Sequence, residues 1–112
     1  MNAILDNAKE FLESANDNEV KKRYNVAVSD YFKAIVIYCD AIIYEQRKML
    51  PKNHSERFDI LKNYFPELYS LISPLFRHYT DSYNNKLSQK DVEVMKKNAA
   101  KIKGIAESFK KT

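Results

Sequence analysis

Between Val26 and Tyr44 the chain is apolar around most of a helical circumference, and neither glycine nor proline interrupts the run. A helix from about Glu19 to Leu50, stopped by Pro51, accommodates it. Such a helix would span roughly 48 Å at 1.5 Å per residue. Its polar exceptions, Lys22, Asn25, Ser29, Lys33, Asp40 and Arg47, fall in one narrow stripe on a helical wheel. A helix apolar on nearly all sides must be covered on nearly all sides. In a chain of 112 residues it is therefore either the central helix of a bundle or a helix that partly faces a second copy. Ser29, Asp30, Lys33 and Asp40 lie inside the run and make a membrane span too costly.

The rest of the chain reads as helix on both sides of this one. One glycine and three prolines leave few places to turn, so few and long elements are expected. Ile4, Leu5, Ala8, Phe11, Leu12 and Ala15 keep helical spacing, which predicts a first helix over about 3–15, ended by Asn16-Asp17-Asn18. Asn53 and Glu56 have capping-box spacing, which opens a short third helix to about Phe65. Pro66 starts a fourth, with a core stripe of Leu68, Leu71, Ile72, Leu75, Tyr79 and Tyr83. Ser73-Pro74 would restart or kink it, and it should end near Lys86. Ser88 and Asp91 form a second capping-box pattern. The fifth helix carries the seam Val92, Met95, Ala99, Ile102, Ala106 and Phe109. Gly104 falls inside it, where it would allow close packing. Long helices joined by short loops give a single all-α domain, an antiparallel up-and-down bundle of four to five helices around one long central helix.

Charge and chemistry-bearing residues exclude several functions. The formal net charge is +4, and residues 90–112 hold all of it, with seven lysines against Asp91, Glu93 and Glu107. A basic end suits nucleic acid, and it equally suits a solvated helix end. One glycine rules out the glycine-rich phosphate loops. Cys39 cannot form an internal disulfide. His54 and His78 lack metal-ligand spacing, so neither a metal nor a cofactor is expected. His54 lies in a polar loop and should be exposed, whereas His78 flanks the core stripe and should be half-buried. The N-terminus has no basic segment leading an apolar core, so a cytoplasmic protein is expected.

The stretch RHYTDSYN, Arg77 to Asn84, is the most suggestive. At 100° per residue Arg77, Asp81 and Asn84 point away from the core stripe. Arg77 and Asp81 then either form an exposed i,i+4 pair worth a few tenths of a kcal/mol, or present a face to substrate or to another subunit.

Taken together, YNVAVSDYFKAIVIYCDAII (Tyr24–Ile43), PKNHSERFDIL (Pro51–Leu61), RHYTDSYN and a last helix with Ala99-Ala100 resemble the HEPN superfamily over roughly residues 3–110. The resemblance implies a helical bundle that pairs as a homodimer. It also implies a role in RNA cleavage, in nucleotide binding, or as partner of a separately encoded minimal nucleotidyltransferase of toxin–antitoxin type. The family's cutting motif is arginine, four to six residues, then histidine. Arg77 would be that arginine, but Ser82, Tyr83 and Asn84 occupy the positions where histidine should stand. His78 follows Arg77 directly, which is the wrong spacing. Without a general acid–base group, cleavage loses about 10²–10⁴-fold. The expectation is thus a homodimer that binds RNA or a nucleotide without cutting it, through Arg77, Asp81 and Asn84, with Asp40 or Ser29 (or Asn25) assisting from the long helix. A metal-independent ribonuclease using Arg77, with His78 or His54 recruited, is the less expected outcome.

Overall fold

The computed structural model describes residues 2–110. Five α-helices carry them: α1 (Asn2–Val20), α2 (Tyr24–Arg47), α3 (His54–Tyr64), α4 (Pro66–Asp81) and α5 (Gln89–Lys110). No strand occurs among the described residues. The molecule is 38 Å long, about the length of a helix of 24 residues. It is one helix tall, and α2 is that helix.

Thirteen of the residues of α2 are buried, among them Ala27, Phe32, Ile35, Tyr38 and Ile42. α1 and α5 pack along it, and α4 covers part of the remainder. Its apolar girth is therefore satisfied inside the chain and does not by itself call for a second copy. α2 is shorter than the 19–50 expected. Lys22 adopts a left-handed conformation, φ 60°, between α1 and α2, and Lys48 does the same at φ 55° after α2, where its N–H donates to Tyr44 O. Among the described residues no helix is long and apolar enough to cross a membrane.

α1 runs five residues past its expected end, and the reason is tertiary. Asp30 is buried on α2, 8% exposed. Ser14 Oγ donates to its Oδ2 at 2.6 Å and Asn18 Nδ2 at 3.1 Å. Asn18 is thus held by a partner across the interface and does not break its own helix. Glu19 extends this contact. It accepts from Tyr31 on α2 and Gln89 on α5, and lies 3.4 Å from Lys96 Nζ. Burial alone would raise its pKa, but these partners hold it below the usual glutamate value.

α3 begins as expected, with Glu56 N–H donating to Asn53 Oδ1 at 2.9 Å. α4 starts at Pro66 and runs through the exposed Pro74 without a restart; the carbonyl that loses its intrahelical donor there is that of Ser70, also an exposed residue, where water can replace the bond. It ends at Asp81, not near Lys86, and Tyr83 leaves the expected core stripe to stand 69% exposed. Ser88 then caps α5, its N–H donating to Asp91 Oδ2 at 2.8 Å. Val92, Met95, Ala99, Ile102 and Ala106 form the buried seam. Gly104 lies on the exposed face, and a Cβ there would meet nothing within 4 Å, so it serves no close packing.

Candidate functional site

α4 presents Arg77 to solvent, as its phase on the helix requires. No ion pair joins it to the half-buried Asp81, so the i,i+4 pair does not form among the described residues. Asn84 is exposed in the turn after α4, its backbone N–H donating to Asp81 O at 3.1 Å. His78 is half-buried and turns Nδ1 toward Asp91 Oδ1 of α5, 3.6 Å away. Tyr79 packs inward, its ring stacked on Phe32 at 4.6 Å, while its hydroxyl lies 2.8 Å from that of Tyr83. The bond to Tyr83 and partial burial both raise the Tyr79 pKa.

The long-helix candidates do not join Arg77. Ser29 is half-buried and makes no side-chain hydrogen bond to Arg77. Asp40 is taken by a residue that sequence reasoning missed. Arg57, in the first turn of α3, grips it with two of the three guanidinium nitrogens, Nε to Oδ1 at 2.7 Å and Nη2 to Oδ2 at 2.8 Å. The third, Nη1, lies 2.8 Å from His54 Nδ1. A guanidinium only donates, so His54 accepts at Nδ1 and carries its proton on Nε2.

His54 is not the exposed loop residue expected. Its ring sits among Phe32, Phe58, Phe76 and Tyr79, with centroids 5.4–6.4 Å away. Burial and the neighbouring Arg57 cation lower its pKa, against an opposing pull from Asp40. This cluster ties the end of α2 to α3 and α4. Its one signal in the sequence was the three-residue spacing of His54 and Arg57 after an N-cap asparagine, which places both on one face of a first turn. Nothing in the sequence marked Asp40 as the partner of Arg57.

Other chemistry is sparse. Among the described residues no three His, Cys, Asp or Glu side chains gather to hold a metal. Cys39 is wholly buried, and burial pushes its thiol far above the usual range, so it stays protonated and inert. Two of the hollows in the surface lie at opposite ends of α2. One is an open apolar groove of about 750 Å³ between the start of α4 and the end of α5, lined by Tyr64, Phe65, Leu71 and Ile105, with Glu67 and Lys101 beside them. The other is a smaller cleft at the opposite end of α2. No family model, curated protein or solved structure matches the chain.

Proposed function

We propose that this helical domain is HEPN-like and binds RNA or a nucleotide through its phosphates, without cutting it. The observation that carries the reading is the contrast between Arg77 and the two histidines. Arg77 is exposed and makes no ion pair among the described residues, so its planar fork is available to a phosphate. His54 is committed to Arg57, and His78 is turned toward Asp91. Neither stands ready as the acid–base partner that cleavage would need. Exposed lysines of α5 add attraction that falls with salt. A homodimer that sets two copies of Arg77 across one groove fits the same reading.

The test is fluorescence anisotropy with a labelled single-stranded RNA, beside a metal-free cleavage assay, for the native protein and Arg77→Ala. Salt-dependent binding that weakens in the variant, with intact RNA, is the expected result. Metal-free cleavage that disappears in Arg77→Ala would establish a ribonuclease and overturn the reading. The apolar groove favours a second reading, a non-catalytic partner of a nucleotidyltransferase. A stoichiometric complex with such an enzyme, together with no RNA affinity, would put that reading first.

A further inference from the structure

Two loops far apart in sequence meet at one pole of the bundle. Lys21-Lys22-Arg23 joins α1 to α2, and Ser82–Ser88 joins α4 to α5. Asn25, in the first turn of α2, pins them together. Its Nδ2 donates to Ser82 O at 2.9 Å and Asn85 O at 2.6 Å, and its Oδ1 accepts from Leu87 N–H at 3.0 Å. These three bonds hold the α4–α5 loop against the first turn of α2, beside the α1–α2 loop. The result is a cleft of about 280 Å³ lined by Lys22, Arg23 and Lys86 together with Tyr24, Asn25, Val26 and Leu87.

The charge around the cleft is one-sided. Lys22, Arg23 and Lys86 are exposed, and none makes an ion pair among the described residues. No acid occurs between Val20 and Ser29, nor between Ser82 and Lys90. Of the acids that flank these segments, Glu19 is held by Tyr31, Gln89 and Lys96, Asp30 by Ser14 and Asn18, and Asp91 by Ser88, with His78 beside it. The fourth, Asp81, makes no ion pair among the described residues, and no acid lines the cleft itself. Three unpaired cations around one concavity repel each other unless an anion joins them, and a low-dielectric wall such as Val26 and Leu87 sharpens the field.

We propose that this cleft is a phosphate-binding site that anchors the backbone of single-stranded RNA, with Lys22, Arg23 and Lys86 as the phosphate contacts. This rests on the RNA-binding reading above and moves its anchor from Arg77 alone to the pole that terminates the same helix. The cleft is smaller than the roughly 300–1,000 Å³ pockets that enclose a whole small molecule. It takes a phosphate and leaves the rest of the strand to run outward, with Tyr24 supplying an aromatic wall.

The experiment compares three proteins by anisotropy with labelled oligouridylate across a salt series. They are the native chain, the cleft variant Lys22→Asn/Arg23→Gln/Lys86→Gln, and the control Lys9→Gln/Lys52→Gln/Lys62→Gln, which removes the same charge from other exposed positions. Asparagine is chosen at 22 because it tolerates the left-handed backbone found there. Unchanged circular-dichroism melting shows that each variant folds. The cleft variant is expected to bind about tenfold or more weakly near 50 mM salt, and its log–log salt slope to fall by about 2, as three lost contacts to a single strand require. The control should keep most of its slope. Equal losses in the two variants, or none in the cleft variant, overturn the proposal and leave the RNA reading standing. If the native protein binds no RNA, amide shifts on adding inorganic pyrophosphate decide the rest. Shifts confined to residues 22–26 and 86–87 keep the cleft and remove the RNA reading, and their absence removes both.

Discussion

Removing one member of the Asp40–Arg57 pair should destabilise the protein far more than removing both. The pair has two short charge-assisted bonds, 2.7 and 2.8 Å, and the side chains of Arg57 and Asp40 are 11% and 17% exposed. Truncating one partner of a fully buried pair costs about 3–5 kcal/mol, because the other charge is left uncompensated. The residual exposure lets water screen the survivor, which brings the expected cost to about 2–3 kcal/mol for Asp40→Leu or Arg57→Met. The double variant fills the same space with apolar groups and leaves no charge behind. It should lose about 1 kcal/mol, mainly from the donor that His54 Nδ1 forfeits. Urea unfolding followed by circular dichroism at constant m-value gives all four free energies. A double-mutant coupling of about 2 kcal/mol or more is expected. Single variants that each cost less than about 1 kcal/mol, or a double loss equal to the sum of the singles, would falsify the view that this cluster holds α3 against α2.

Three further outcomes follow from the same packing. His54 has a lowered pKa, so the unfolded chain binds its proton more readily. Its contribution to stability is complete above the ordinary histidine value of about 6.5 and is lost as pH falls below it. Urea midpoints at about pH 7.5 and pH 5.5 should therefore diverge in the native protein and converge in His54→Gln. Gly104→Ala should stabilise by about 1 kcal/mol, since a Cβ there meets nothing and helix propensity improves. That corresponds to a thermal midpoint about 4 °C higher by calorimetry. Tyr38 is wholly buried and its hydroxyl has no hydrogen-bond partner among the described residues. Burial, with Glu107 nearby, pushes its pKa up to about 12. Tyr38→Phe should accordingly be neutral or stabilising by about 1 kcal/mol in urea unfolding, because it removes an unsatisfied polar atom and keeps the ring.

The helices were legible because their signals are local. The apolar period of α5, the capping pairs Asn53–Glu56 and Ser88–Asp91, and Pro66 at the start of α4 each act within a turn or two. The solvent-facing phase of Arg77 followed from the same helical geometry. Several of the expectations that failed concern residues whose partners lie on other helices. Asn16-Asp17-Asn18 reads as a stop until Asp30 is seen to hold Asn18. His54 reads as an exposed loop residue until Phe32, Phe76 and Tyr79 close around it. Asp40 reads as a helper of Arg77 until Arg57 is found bound to it.

The sequence by itself determined that this chain is an all-helical bundle built around one apolar helix. Hydrophobic period and backbone caps are properties of neighbouring residues, and they survive without tertiary context. Tertiary structure alone decided where charge is spent and where it is left free. It paired Arg57 with Asp40, left Arg77 without an ion pair among the described residues, and used Asn25 to bring Lys22 and Arg23 beside Lys86. Those outcomes depend on distances between residues 17 to 64 positions apart in the chain. An electrostatic interaction falls with spatial separation and takes no account of sequence separation.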